Sequence, residues 1–187
     1  DVLRYVLTSN APETKDNDFT WADFQARNNN ELVAIYGNFI NRVVVLTQKY
    51  YDGVVPDPSG FTKIDNETLT ELKTYPDVIA SSIERYRFRE AQSRLMEVAR
   101  LGNKYLADEE PWKTIKSDAE RTKTIMYIAL QIASTLAVLS EPFLPHTSMK
   151  LKDMLDFSSL SSQPSWNHAT RSHEILPVGH SIREGAL

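Results

Sequence analysis

Two polar side chains and one aromatic side chain in this sequence have the chemistry needed to recognise a nucleobase. Asn38 and Arg42 lie one helical turn apart in the segment YGNFINR, so on a helix they project from the same side. Trp112 follows Pro111 in the segment NKYLADEEPW, where a proline can hold an indole at a turn. Amide and guanidinium groups hydrogen-bond to base edges, and an indole offers a stacking surface. These residue types predict a nucleic-acid site if the fold brings the two segments together.

The spacing of these residues is also compatible with purely structural roles. An asparagine and an arginine one turn apart are common on any solvated helix face, and a tryptophan is more often part of a core. The segment around Asn38 adds one further signal, because Gly37 weakens helix propensity. Together with Ala34, this glycine predicts an open shelf beside Asn38 and Arg42, where a ligand could approach the backbone.

A cluster of arginines in the segment ERYRFREAQSR has two interpretations. It comprises Arg85, Arg87, Arg89 and Arg94. Glu84 and Glu90 are interspersed among them, so the pattern favours a helix face with internal salt bridges over a stripe that contacts phosphates.

The bulk composition excludes several classes of site. The 187 residues include no cysteine, which rules out disulfides and thiolate metal sites and fits a reducing compartment. The four histidines show no helical pairing, so neither a metal site nor a catalytic site is predicted in the chain. The acidic run at 108–110 favours a solvated turn. A net charge of −4 argues against non-specific nucleic-acid binding, and no run is expected to be long enough and apolar enough to span a membrane. Because the chain begins with Asp1, we expect a fragment of a longer protein.

The hydrophobic pattern predicts an all-α protein. Helices are expected over residues 1–8, 21–51, 65–85, 87–105, 118–139 and up to 155. Asp18 or Thr20 is expected to cap the second helix, and Asp65 or Asn66 the third, which Pro76 kinks or divides. The helix at 118–139 is apolar nearly all round, which is typical of the central helix of an antiparallel bundle.

Three segments, in this order, resemble the C-terminal part of the methionyl-tRNA synthetase family. They are DVLRYVL, NNNELVAIYGNFINR and NKYLADEEPW, and the resemblance covers about residues 1–157. It implies a helical anticodon-binding domain of the class I synthetase type. In that family the residues matching Asn38, Arg42 and Trp112 recognise the CAU anticodon of tRNA(Met), with the indole stacked on the first base. Pro111 would hold that platform.

The resemblance also implies a domain organisation and a set of partners. Residues 1–19 would follow a catalytic domain, 20–157 would form the anticodon-binding domain, and 158–187 would be a partly ordered tail, packed back through Trp166, Ile175 and Leu176. The family's ATP-binding HIGH-type and KMSKS-type motifs are not found in this chain, so the chain alone is expected to be inactive. The full-length cytoplasmic enzyme would use ATP and Mg²⁺, with zinc in the catalytic domain of some members.

Two alternatives remain at this stage. The bundle could belong to a related class I synthetase for cysteine, valine, leucine or isoleucine, in which case GNxxxR paired with PW would be unexplained. It could also be a helical protein-interaction module without an RNA role, which predicts a contiguous apolar patch instead of an Asn–Arg–Trp site.

Overall fold

The structure of the chain is a computed structural model that describes residues 1–13, 16–171, 174–185 and 187. The described part is all-α, as predicted. Its helices are Val2–Ser9 (α1), Trp21–Arg27 (α2), Asn38–Tyr51 (α3), Lys63–Leu72 (α4), Tyr75–Glu84 (α5), Phe88–Glu109 (α6), Pro111–Ser117 (α7), Ala119–Leu139 (α8), Pro145–Met154 (α9) and Trp166–Arg171 (α10). A π-helix at Asn28–Gly37 joins α2 to α3, and a short 3₁₀ turn covers Phe157–Ser159.

Helix α8 forms the centre of the bundle. All residues at positions 124–140 are buried, and the helix packs against α3, α6, α7 and α9. By length and composition α8 is apolar enough to cross a membrane, so the expectation that no run qualifies was wrong. Its apolar surface is nonetheless almost entirely covered by the other helices, which identifies it as the core helix that the pattern predicts.

The long helix predicted at 21–51 is continuous, but its middle is not an α-helix. The Thr20 hydroxyl accepts a hydrogen bond from the Asp23 N–H at 3.1 Å, so Thr20 is the cap and Asp18 is not. From Asn28 to Gly37 the backbone is π-helical, with hydrogen bonds that reach five residues along the chain. A Cβ at Gly37 would lie 3.2 Å from the Leu32 carbonyl oxygen, so this glycine relieves a contact inside the helix. The predicted ligand shelf is therefore not needed to explain it.

The cap predicted for the third helix was also wrong. Helix α4 begins at Lys63, and Thr62 is its N-cap. Asp65 is the third residue of the helix, and its carboxylate accepts a hydrogen bond from the Thr62 N–H at 2.8 Å, which completes a capping box. Pro76 divides the segment as predicted, because α4 ends at Leu72 and the proline lies in the first turn of α5.

The chain after Phe157 packs back onto the bundle. The Gln131 side chain on α8 accepts hydrogen bonds from the backbone N–H groups of Ile175 and Leu176 and donates one to the Leu176 carbonyl at 2.7 Å. The Trp166 indole donates to the Pro76 carbonyl at 3.2 Å. The predicted packing through these residues is therefore present. The division into 1–19, 20–157 and 158–187 stays a prediction.

Candidate nucleic-acid interface

Asn38 and Arg42 lie in the first turns of α3, directly after the π-helix. Asn38 is exposed and Arg42 is half-buried. The start of this helix is fixed from its opposite face, because Phe39 and Ile40 are fully buried and the Tyr36 hydroxyl lies 3.1 Å from the Ser140 hydroxyl at the end of α8. The apolar residues therefore anchor the helix, while Asn38 and Arg42 stand outside the core.

Asn38 is held by a residue of α6. Its amide nitrogen donates a hydrogen bond to the Asn103 side-chain oxygen at 3.2 Å. The Asn103 amide nitrogen in turn donates to the Ile35 carbonyl at 2.9 Å and to the Ala99 carbonyl at 3.1 Å. Asn103 therefore connects α6 to the end of the π-helix and to the first turn of α3.

A glycine on α6 allows this close approach. A Cβ at Gly102 would lie 2.3 Å from the Phe39 ring, which is far inside van der Waals contact. Any larger residue at this position would force α6 and α3 apart or would displace the ring. Gly102 thus sets the spacing at which the neighbouring Asn103 reaches Asn38.

Trp112 is carried by the sharp corner between α6 and α7. Glu110 has a left-handed backbone (φ 44°), ending α6 and starting α7 at the same residue. Pro111 is buried at the first position of α7, where its missing N–H costs no helical hydrogen bond. The Thr114 hydroxyl donates to the Glu109 carbonyl at 2.8 Å and so closes the corner. Trp112 is left half-buried beside α3.

Arg42 and Trp112 are in contact. The guanidinium carbon lies 4.8 Å from the centre of the indole ring, which is cation–π geometry. Two residues that are far apart in the sequence thus form one surface, with Asn38 one turn away from Arg42 on α3. Pro111, which directly precedes Trp112, is buried at the corner, and its role in holding the ring stays a prediction. The structure therefore places the sequence-predicted residues near one another, and their role in binding stays a prediction.

A largely buried ionic network joins α4, α6 and α8, and it includes the last residue of α6 before the corner that carries Trp112. The Arg121 guanidinium on α8 donates to the Asp65 carboxylate at 2.8 Å and to the Glu109 carboxylate at 2.7 Å, and the Tyr105 hydroxyl donates to Asp65 at 2.6 Å. Burial raises the pKa of Asp65, but the hydrogen bonds from Arg121, Tyr105 and the Thr62 backbone outweigh it, so the net pKa is lowered. Glu109 is therefore a structural residue, and the expectation of a solvated acidic turn was wrong for it.

The arginine cluster of α5 and α6 is partly neutralised by local pairs. Arg94 pairs with Glu97 at 2.9 Å, and Arg87 lies 3.7 Å from Glu90. Both pairs agree with the predicted salt-bridged face. Among the described residues, no group of three histidine, aspartate or glutamate side chains is arranged to hold a metal ion. His173, one of the histidines considered for such a site, lies outside the described residues.

Sequence reasoning missed the residues that support the site. Asn103 is the first residue of the segment that ends in Trp112, and Gly102 directly precedes it, but only the crossing of α3 and α6 shows what they contact. The signal for Asp65 was present, because a threonine followed three residues later by an acid is typical of a capping box. No sequence signal marked Arg121 as its partner.

Two family models match the chain. The model described as the anticodon binding domain of methionyl tRNA ligase matches residues 55–185, and the model described as tRNA synthetases class I (M) matches residues 1–44. Asn38 and Arg42 lie in the segment matched by the second model and Trp112 in that matched by the first. The contact between Arg42 and Trp112 therefore joins two separately matched segments.

Curated relatives and solved structures agree with this match. A methionine–tRNA ligase from Christiangramia forsetii is 68% identical over the whole chain, and one from Flavobacterium psychrophilum is 67% identical. The chain spans 27% of the length of each. The structure of Mycobacterium tuberculosis methionyl-tRNA synthetase in complex with methionyl-adenylate superposes with a TM-score of 0.89 at 21% identity, over 98% of this chain and 36% of that one. At that identity the superposition shows a shared fold.

Proposed function

From the premise that the chain belongs to the family of anticodon-binding domains of methionyl tRNA ligases, we propose that it recognises the CAU anticodon of tRNA(Met). The observation that supports this most strongly is the Arg42–Trp112 contact at 4.8 Å, with Asn38 one turn away. It combines a stacking surface with hydrogen-bonding groups, which is how unpaired RNA bases are recognised. Membership of this family argues against the alternative that the chain belongs to a class I synthetase for another amino acid.

The proposed roles follow from the chemistry of each side chain. Trp112 stacks on the first anticodon base, cytosine. Arg42 donates hydrogen bonds to the O2 and N3 acceptors of that base, and Asn38 contacts its remaining edge. Stacking on an aromatic side chain is typically worth roughly 1–3 kcal/mol per base. A good base-edge contact to nucleic acid adds a similar ~1–3 kcal/mol. Together these energies are enough to discriminate one base from another.

The cation–π contact does not prevent stacking. An exposed pair of this kind is worth about 0.5–1 kcal/mol, less than a stacked base gains. A base can therefore displace the guanidinium from the indole face. The guanidinium, still carried by α3, is then free to donate to the base edge.

The interaction-module alternative predicts an exposed apolar patch, and one is present elsewhere. Phe19, Trp21 and Phe24 pack edge to face, and Trp21 is 74% exposed. None of these residues belongs to the Arg42–Trp112 surface. Trp21 therefore serves as a control for RNA binding, because its exposed indole lies outside the proposed RNA-binding surface.

The longer protein is proposed to be a methionine–tRNA ligase. Its reaction would join methionine to tRNA(Met) with ATP and Mg²⁺ in a catalytic domain to which this chain contributes anticodon recognition. A cytoplasmic location is part of the same proposal, because that is where the tRNA substrate is used.

Binding to anticodon stem-loops tests the proposal. The chain is titrated with a CAU stem-loop and with otherwise identical stem-loops that carry U, A or G at the first anticodon position. We expect the CAU stem-loop to bind more tightly by about 1–3 kcal/mol. Equal affinity for all four, or an affinity that arises only from salt-sensitive phosphate contacts, would remove the recognition role.

A further inference from the structure

We propose that Asn103 on α6 is a positioning residue for base recognition, which fixes the edge of the Asn38 amide that faces the anticodon. This inference rests on the proposed function and deepens it. Asn103 need not touch the RNA. Its effect is transmitted through the single hydrogen bond that it accepts from Asn38.

The orientation of the Asn103 amide is determined by its two backbone partners. A side-chain amide nitrogen carries two N–H groups and its oxygen carries none. Both N–H groups of Asn103 are used, one on the Ile35 carbonyl at 2.9 Å and one on the Ala99 carbonyl at 3.1 Å. The Asn103 oxygen is consequently the atom that faces Asn38, at 3.2 Å from its nitrogen.

This arrangement removes the freedom of Asn38 to flip. If the Asn38 amide rotated by half a turn, two amide oxygens would face each other without a proton between them. Asn38 therefore keeps its nitrogen towards α6 and presents its oxygen, with one remaining N–H, away from that contact. Within the part of the chain that the structure describes, the Asn38 side chain makes no other hydrogen bond, and the residue is exposed. Its oxygen is thus available to a ligand.

A fixed oxygen discriminates between the two pyrimidines. Cytosine carries an amino donor at C4, and uracil carries a carbonyl acceptor at the same position. An amide oxygen held in place can accept from cytosine but only opposes the oxygen of uracil. An asparagine that was free to flip would offer its N–H to uracil and bind both bases. Asn103 thereby makes Asn38 selective for cytosine. With uracil, the fixed Asn38 oxygen is left without a hydrogen-bond donor, and an unsatisfied polar group is costly.

The preference for cytosine over uracil is the measurement that reports this role. Wild-type chain and Asn103→Leu are titrated with stem-loops that carry C or U at the first anticodon position. A good base-edge contact corresponds to roughly 5- to 150-fold discrimination, which we expect for the wild type. In Asn103→Leu the preference should fall towards unity, mainly through tighter binding of the U stem-loop, because a freed Asn38 amide can turn its N–H towards uracil. Asn103→Ser should do the same, since its short hydroxyl can bond to the Ala99 carbonyl one turn back without reaching Asn38.

A double-mutant cycle separates positioning from general damage. If Asn103 acts through Asn38, adding Asn103→Leu to Asn38→Ala should change the preference no further. Ser148→Ala serves as the fold control, because it removes a buried hydrogen bond to the Ala137 carbonyl and should lower the melting temperature without changing the preference. A variant of Asn103 that keeps the wild-type preference, or that lowers it further in the Asn38→Ala background, would overturn the inference while leaving the proposed function intact. Absence of any preference in the wild type would overturn both.

Discussion

The guanidinium of Arg42 on α3 lies 4.8 Å from the centre of the Trp112 ring on α7, so a cation from one segment covers an aromatic face from another. Two different residues determine how α3 and α7 lie relative to each other. Gly102 lets α6 approach α3, and the left-handed Glu110 turns α6 sharply into α7. The contact between Arg42 and Trp112 therefore depends on how the helices pack. Substitutions at Gly102 or Glu110 should alter RNA binding although neither residue is proposed to contact the RNA.

Replacement of the indole tests the stacking platform. Trp112→Ala should weaken binding of the CAU stem-loop by about 1–3 kcal/mol, because the stacking surface is lost. Trp112→Phe should retain part of the affinity, because a smaller aromatic face remains. Fluorescence anisotropy with a labelled stem-loop measures both. Equal affinities of the alanine variant and the wild type would exclude Trp112 from the interface.

Replacement of the guanidinium tests base-edge contacts separately from charge. Arg42→Lys keeps the charge but loses the planar fork of donors, so we expect a loss of about 1–3 kcal/mol for the stem-loop with C at the first position and little loss for the others. Lys49→Gln on the same helix is the matched control. It removes a cation near the Tyr50 ring and should weaken all stem-loops alike, with a smaller salt dependence. A uniform loss in Arg42→Lys would assign this residue to phosphate contact instead.

The close crossing of α3 and α6 makes a stability prediction. In Gly102→Ala the new methyl group meets the Phe39 ring, so unfolding in urea should show destabilisation by about 1–3 kcal/mol. Stem-loop affinity should fall as well, since α6 carries Asn103. Adding Phe39→Leu should cost less in the Gly102→Ala background than in the wild type, because the shorter side chain relieves the overlap. Additive effects would show that the two residues do not share this contact.

The ionic network of Asp65, Arg121 and Glu109 predicts a pH dependence of stability. Because the net pKa of Asp65 lies below its ordinary value of 3.8 in the folded chain, its carboxylate stabilises the fold above that pH. This stabilisation is lost as the pH falls through the lowered folded pKa. Asp65→Asn should therefore cost roughly 3 kcal/mol near neutral pH, where Arg121 loses its fully buried carboxylate partner and keeps the pair with Glu109, and much less in acid.

A control for this pH effect is available on α8. Glu120 is largely exposed and pairs with Lys123, so Glu120→Gln should change stability by less than about 1 kcal/mol at either pH. Urea unfolding of both variants at neutral and acidic pH makes the comparison. If the difference between wild type and Asp65→Asn is the same at both pH values, the carboxylate is not the source of the stabilisation.

The sequence predicted the helices well and the contacts between them poorly. Apolar periodicity and prolines located α8 and the break at Pro76, because both signals act within one helix. The π-helix before Asn38 has no such signal, since its residues show almost no amphipathic pattern of α-helical period. Asn103 was invisible as a site residue because its role depends on how closely α6 crosses α3. Resemblance to a family pointed to Asn38, Arg42 and Trp112, but it did not show what holds them.

The most direct test is the behaviour of the Trp112 indole N–H during titration with RNA. The chain contains three tryptophans, and single Trp→Phe variants assign their indole signals in a ¹⁵N-labelled sample. With the CAU stem-loop, we expect the Trp112 signal to shift strongly while that of Trp21, which is 74% exposed, stays in place. A stem-loop that lacks the first anticodon base should leave Trp112 nearly unshifted. If Trp21 moves and Trp112 does not, or if removal of that base changes nothing, anticodon recognition by this surface is contradicted.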